Sequence, residues 1–174
     1  MLAWREAQAV DEAHRRSIRI QQRVCSLEPF RRARSIALYY PFRGEVETSE
    51  LLAKARLLGK KVAYPRMGDA TMTLVGFPAG ARFRPGRLGT LEPAGAETVD
   101  PLGIDCLIIP GVAFDRTGTR LGFGRGCYDR VLQGYGGDTV GLAFDFQIVP
   151  ELPREPGDVR CRWVVSESET LAGC

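Results

Sequence analysis

With 174 residues, 44% of them hydrophobic and 26% charged, the chain has the size and composition of one soluble globular domain, and a single domain over 1–174 is expected. A net charge of +3 is spread along the chain with no basic run interleaved with aromatics, which excludes nucleic acid as a partner, and no apolar run approaches the ~20 residues that span a bilayer. Lys54, Lys60 and Lys61 are the only lysines, so anion binding here is mostly arginine work.

Residues 2–25 are expected to form one helix, with Trp4, Val10, Ile18 and Val24 among its apolar positions. His14, the only histidine, falls inside it and reads as a solvated helix residue. That removes a Ser-His-Asp triad, a His-rich zinc site and a Cys–His pair from consideration. After an interruption at 26–30, SIALYY (Ser35 to Tyr40) reads as a strand. A second helix is expected over Ser49 to Leu58, with Leu51, Leu52, Ala55 and Leu58 on one face and Gly59 as its stop. Val62 to Pro65 is a short strand, so the unit is strand–helix–strand, a right-handed parallel crossover. Between them, Glu45 and Glu47 alternate in an extended segment and face opposite ways. One is free to face a site while the other caps the following helix with Thr48 or Ser49.

Met72 to Phe77 is a further strand. Residues 78–103, rich in Gly, Pro and Arg, read as an excursion over the surface carrying Arg82, Arg84 and Arg87. Cys106 to Pro110 is apolar throughout, the mark of a central strand. A helix is expected from about Cys127 to Gln133, and Thr139 to Phe144 and Trp163 to Ser166 complete the sheet. The pattern is α/β with a mostly parallel sheet. In such a sheet ligands collect at the carboxyl ends of strands. The ends at Tyr40 and Pro110 are therefore expected on one rim. The five cysteines, Cys25, Cys106, Cys127, Cys161 and Cys174, form no CxxC pair, and the N-terminus is charged rather than leader-like. Reduced thiols and a cytoplasmic location are expected.

The segment with most chemistry is Asp115 to Arg130, DRTGTRLGFGRGCYDR. Glycines at 118, 122, 124 and 126 let backbone approach a ligand closely and expose N–H groups. Arg116, Arg120, Arg125 and Arg130 can fork onto phosphate oxygens, and a carboxylate such as Asp129 can hold Mg²⁺. The segment matches neither the GxxxxGK[ST] nor the GxGxxG phosphate loop. From spacing alone, a surface turn with solvated arginines explains it equally well.

GVAFDRTGTRLGFGRGCYDRVL resembles the signature PGxAFDxxGxRLGxGxGYYDRxL of the 5-formyltetrahydrofolate cyclo-ligase family (5,10-methenyltetrahydrofolate synthetases). The likeness extends through LYYPFRGEVET (Leu38 to Thr48) and GLAFDFQIVPELPREPGD (Gly141 to Asp158). The resemblance implies a single-domain layered α/β fold related to the sugar-phosphate isomerase and CoA-transferase group. It implies ATP- and Mg²⁺-dependent closure of 5-formyltetrahydrofolate to 5,10-methenyltetrahydrofolate, with ADP and phosphate released, in a monomer. By the same resemblance Arg120 and Arg125 are catalytic. Arg120, Leu121, Gly122, Phe123, Gly124, Arg125, Gly126, Cys127 and Tyr128 bind ATP. Tyr40, Glu45, Phe123, Gly124, Arg125, Gly126 and Cys127 meet the folate, and Asp129 and Asp158 hold Mg²⁺.

Two departures stand out. Cys127 replaces the first tyrosine of GYYDR, and glycine precedes Asp158 where the family has histidine. The family's basic K-x-x-L-R segment is also expected upstream of the position where Met1 stands, and Arg5, Arg15 and Arg16 lie too far along the helix to replace it; weak ATP affinity is the expectation. Two other readings stay open at this level: a non-catalytic folate- or nucleotide-binding relative, and a phosphosugar isomerase on a related fold.

Overall fold

Cys106 to Pro110 packs apolar side chains on both faces, and it forms the middle of the sheet. Cys106 and Ile108 enter one core cluster, Leu107 and Ile109 the other, as the period of two requires. The computed structural model describes residues 1–68, 71–86, 89–95 and 97–173. Its helices are α1 (Leu2–Glu6), α2 (Val10–Ser26), α3 (Glu28–Arg32), α4 (Ser49–Leu57) and α5 (Cys127–Leu132). Its strands are β1 (Ser35–Ala37), β2 (Lys61–Met67), β3 (Met72–Gly76), β4 (Phe83–Pro85), β5 (Leu91–Pro93), β6 (Thr98–Val99), β7 (Cys106–Pro110), β8 (Ala113–Asp115), β9 (Arg120–Leu121), β10 (Asp138–Leu142), β11 (Ile148–Val149), β12 (Trp163–Val165) and β13 (Thr170–Ala172).

The main sheet runs β13-β12-β10-β7-β1-β2-β3-β6. Its central strands β12, β10, β7, β1 and β2 are parallel, while β13, β3 and β6 join antiparallel at the two sides. Taken in chain order, the parallel strands lie 2-1-3-4-5. This is a doubly wound sheet whose connections reverse direction between β1 and β7. The mostly parallel α/β sheet expected from sequence is therefore present, and β1 and β7 are paired neighbours (Ile36↔Cys106, Ala37↔Leu107). One face is covered by α2 and α4 through Ile20, Val24, Leu51 and Ala55. The other is covered by Phe114 of β8, Leu132 of α5 and their neighbours.

Residues 2–25 do not form the single helix expected. The first helix stops at Glu6, and Ala9 is extended (φ −61°, ψ 134°) before α2 begins. Ala7, Gln8 and Ala9 include good helix formers, so a tertiary contact overrides propensity there. That contact is Arg5, which turns inward and is only 2% exposed. The strand at SIALYY is shorter than expected, ending at Ala37. Beyond it the Tyr39 carbonyl accepts from Thr48 Oγ1 and the Tyr39 hydroxyl donates to the Val46 carbonyl, which fold the chain into a loop.

Neither Glu45 nor Glu47 caps α4. Gln21 of α2 does so from outside, its Oε1 accepting from the Glu50 and Leu51 amides at 2.9 and 3.2 Å. Glu47 instead meets His14 Nδ1 at 2.8 Å on the surface. The excursion at 78–103 contains the β4–β5 ribbon and the edge strand β6. The ribbon is anchored by Phe83, which stacks on Phe77 at 4.3 Å and meets Tyr64 and Tyr40 edge-on. Arg82 and Arg84 are exposed there, and Arg87 lies outside the described residues. No helix among the described residues is long and apolar enough to cross a membrane.

Candidate active site

In a doubly wound sheet the ligand crevice lies where the connections reverse, here at the carboxyl ends of β1 and β7. One lip is the turn that follows β1, from Tyr40 to Glu45. The other begins at Gly111 and continues through the hairpin of β8 and β9 into α5. The hairpin is tied down by Asp115, whose Oδ1 accepts from the amides of Thr117 and Thr119 and the Thr117 hydroxyl, and whose Oδ2 accepts from the Leu152 amide. Asp115 is therefore a structural carboxylate. Its acidity is set by burial, which weakens it, against these hydrogen bonds, which prevail and hold its carboxyl below the usual range.

Arg120 leaves β9 and meets Asp129 in the first turn of α5. Its Nη2 donates to both carboxylate oxygens, at 3.2 and 3.0 Å. The Arg120 side chain is 6% exposed, that of Asp129 23%. The guanidinium also lies over the Tyr128 ring, 5.3 Å from its centroid. Its Nε is buried with no hydrogen-bond partner. Arg120 is thus a paired cation with a buried, unpartnered Nε–H, rather than the open fork read from the sequence. Gly126 caps α5 in the left-handed conformation (φ 59°), which an L side chain adopts only with strain. It lets the chain reverse from the exposed Phe123–Arg125 segment into α5.

Glu45 sits across the crevice, 8% exposed. Its Oε2 accepts from the Phe42 amide at 3.1 Å, and its Oε1 is 3.8 Å from Arg5 Nη2. Burial raises its carboxyl to about 7, against the lowering pull of Arg5 and of that amide. Tyr128, half-buried, is pushed up in turn by burial and by the nearby Glu45 charge. Gly111, whose carbonyl accepts from Arg5 at 3.0 Å and beside which the Arg120 side chain packs, joins the Arg120–Asp129 pair to the surroundings of Glu45. Phe123 is 47% exposed and lies 6.4 Å from Phe42, ring to ring, with the Arg5 guanidinium 5.7 Å from its centroid. Tyr40, also exposed, packs edge-on against Phe83 at 4.9 Å.

The structure thus brings together Glu45, Phe123, Tyr128, Arg120 and Asp129. Leu121, the last residue of β9, and Arg125, on the loop that follows, are exposed. Cys127 begins α5, and its thiol accepts from Arg130 at 3.6 Å. An open recess of about 280 Å³ beside α5, lined by Met72, Leu102, Cys127 and Val131 among others, includes neither Glu45 nor Arg120. Asp158 stands apart from this group. It is held in its own turn, where its Oδ2 accepts from the Glu155 amide at 2.8 Å and its amide donates to the Glu155 carbonyl. Among the described residues, no group of three or more His, Cys, Asp or Glu side chains is placed to hold a metal.

Sequence reasoning missed Arg5 and Phe42. Arg5 reads as one more charged residue on a helix, and Phe42 as part of a turn. No local signal marks Arg5, which follows the apolar Leu2–Trp4 run and precedes Glu6 as an exposed helix residue would. Arg15 and Arg16, by contrast, are committed to Glu12 on the surface of α2.

The model of the 5-formyltetrahydrofolate cyclo-ligase family matches residues 1–167. The chain is similar to 5-formyltetrahydrofolate cyclo-ligase of Haemophilus influenzae, 34% identical over 156 residues that cover 85% of this chain and 83% of that protein. It is equally similar, at 34% over 155 residues, to the protein of that name from Escherichia coli K12, with 84% and 85% covered. Among solved structures it resembles 5,10-methenyltetrahydrofolate synthetase of Aquifex aeolicus, with a TM-score of 0.87 at 34% identity over 98% of this chain and 88% of that one.

Proposed function

The chain belongs to the 5-formyltetrahydrofolate cyclo-ligase family, and we propose that it works in the crevice between β1 and β7. It is an ATP-dependent ligase that closes 5-formyltetrahydrofolate to 5,10-methenyltetrahydrofolate. The formyl oxygen attacks the γ-phosphorus of ATP and ADP leaves. N10 then attacks the activated formyl carbon, losing its proton as phosphate departs. These steps need cations where phosphate charge develops and two substrates held in register, with no histidine or covalent nucleophile.

Arg120 and Arg125 are the proposed phosphate contacts. The Arg120–Tyr128 segment is the proposed ATP loop, its glycines letting backbone come close to the phosphates. Tyr40, Glu45 and the Phe123–Cys127 side of that loop are proposed to meet the folate. Phe123 is exposed enough to stack on a planar ring, and a buried carboxylate such as Glu45 accepts hydrogen bonds from ring N–H groups. The observation that carries this reading is the unpartnered Arg120 Nε–H. A buried donor left without an acceptor destabilises the fold by about 1–3 kcal/mol, and a ligand oxygen relieves it.

Asp129 and Asp158 are proposed to hold Mg²⁺. The donor chemistry fits an ion that takes one or two carboxylates and keeps phosphate and water as its other ligands. Asp129 is partly open beside Arg120. Asp158, held in its own turn with Glu155 and apart from Asp129, is assigned on the resemblance alone. When bound, the ion would supply positive charge at the phosphate oxygens. A monomer working in the cytoplasm completes the proposal. The described cysteines Cys25, Cys106, Cys127 and Cys161 are free thiols, which suits a reducing compartment.

The test mixes the protein with Mg-ATP and 5-formyltetrahydrofolate and follows methenyl absorbance and ADP together. Growth of both in equal amounts is expected. Binding of either ligand without turnover would point to a non-catalytic relative.

A further inference from the structure

The turn that presents Glu45 is strained, and its strain has an identifiable restraint. Arg43 adopts φ 50° and Gly44 φ 71°, and the Glu45 amide donates back to the Phe42 carbonyl at 3.2 Å. Left-handed φ at both central residues is the geometry of a primed turn. Glycine accepts it freely; arginine adopts it only with strain. Such a conformation persists only where its surroundings impose it.

Both restraining residues come from α1. Arg5 Nε donates to the Arg43 carbonyl at 2.8 Å, and its Nη2 reaches the Phe42 carbonyl at 3.4 Å. Its Nη1 crosses the crevice and donates to the Gly111 carbonyl at 3.0 Å, just past the end of β7. Glu6 binds the Arg43 side chain. The fit is close on the other side too, since a Cβ at Gly44 would stand 2.8 Å from the Arg5 carbonyl oxygen. One buried guanidinium therefore fixes the turn before Glu45, the lip opposite it, and the environment of the Glu45 carboxylate.

We propose that Arg5 is a positioning residue for the cyclo-ligase reaction, which sets the orientation and charge of Glu45 and thereby selects the folate substrate while leaving ATP recognition to the loop after β9. This rests on the reading of Glu45 as a folate contact. Arg5 itself is not open to substrate, because each of its three guanidinium nitrogens donates to a backbone carbonyl and its side chain is 1% exposed. It acts through Glu45. Among the described residues, the charged and titratable groups facing Glu45 are Arg5 from α1, the Tyr39 phenol beyond β1 and the Tyr128 phenol on α5. Of these only Arg5 is positive, so it is the charged group that, with the Phe42 amide, favours the carboxylate over the carboxylic acid.

The test measures binding of 5-formyltetrahydrofolate by calorimetry across pH, and the KM for ATP, in Arg5→Gln, Arg5→Lys, Glu45→Gln and the Arg5→Gln/Glu45→Gln double variant. Arg5→Gln should weaken folate binding about ten-fold, the loss expected when a charged hydrogen-bonding group is removed, and should leave the ATP KM nearly unchanged. Its acid limb of folate affinity should move to higher pH by about one pH unit. Arg5→Lys keeps the charge and loses the carbonyl contacts, so its limb should stay in place while affinity falls. The double variant should bind folate no more weakly than Glu45→Gln alone. Additive losses with a stationary limb would overturn the positioning role and leave Glu45 as a folate contact. A Glu45→Gln protein with unchanged folate binding would instead remove the reading on which the proposal rests, and the proposal with it. If Arg5→Gln does not fold, a limb displaced in Arg5→Lys overturns the charge role on its own.

Discussion

Arg120 and Asp129 are bound to each other, both carboxylate oxygens accepting from one guanidinium nitrogen at the start of α5. The residue proposed to contact phosphate and the one proposed to hold the metal thus neutralise one another without a ligand. Each keeps the other in place, and each becomes a buried or half-buried charge if its partner is removed. Arg120→Lys keeps the charge but loses the planar donor edge that carries the unpartnered Nε–H. Its kcat/KM for ATP is expected to fall about 10- to 100-fold, corresponding to one charge-assisted contact of about 1.5–3 kcal/mol. Steady-state kinetics with ATP varied at saturating folate check this; full activity in the lysine variant would reduce the role of Arg120 to general charge.

Asp129→Asn replaces a hard anionic ligand by a neutral amide. Turnover should fall strongly and the Mg²⁺ concentration needed for half-maximal rate should rise, while 5-formyltetrahydrofolate binding measured without ATP stays nearly intact. Asp158→Asn should act in the same direction. Mg²⁺ titrations of the two single variants decide the matter, since an unchanged metal requirement in both contradicts the assignment.

Glu45 makes a prediction about stability against pH. Burial raises its folded-state titration from 4.5 to about 7. Between those values the folded chain holds a proton on Glu45 that the unfolded chain has released. The associated stability is fully present below the unfolded value and is lost as pH rises through the folded one. Glu45→Gln cannot release that proton. The unfolding free energy of the variant relative to the parent should therefore shift in the variant's favour by up to about 3 kcal/mol from the acid to the alkaline side of this window. Urea titrations at several pH values measure it. A difference that does not vary with pH would mean that Glu45 is solvated rather than buried.

Phe123 contributes little to the core, being half exposed on the loop after β9. Phe123→Ala should leave stability within about 0.5 kcal/mol of the parent. Losing a ring that stacks on the folate should raise the folate KM by about 2- to 10-fold, the weight of one aromatic contact. Parallel thermal melts and folate titrations separate the two effects; a fall in stability with no change in KM would make Phe123 a packing residue.

The sheet was readable from the sequence wherever burial is two-sided. Cys106 to Pro110 lies within the bounds expected, because an unbroken apolar run leaves few alternatives to a central strand. The Ser49 helix and its crossover to Val62 were readable for the same kind of reason, a one-faced apolar pattern closed by Gly59. The break in the first helix was not, because it follows from a long-range contact of Arg5 that no local pattern encodes. The small β8–β9–β11 sheet and the β4–β5 ribbon were missed since their strands are two or three residues long, too short for any periodicity to show. At the candidate site, resemblance picked out Glu45, Arg120 and Asp129. What it did not convey is that Arg120 and Asp129 are paired, or that Glu45 depends on a turn held from α1.

The main sheet ends at each side in a short antiparallel strand, β6 of two residues and β13 of three. An unpaired edge is a template on which another chain can extend the ladder, and the parallel strands inside this sheet are the apolar segments most prone to it. Two or three residues expose too few free N–H and C=O groups to nucleate such an addition. These terminal strands therefore act as guards against edge-to-edge aggregation. Lengthening either one into a flat, apolar strand is expected to reduce solubility before it alters the catalytic rate.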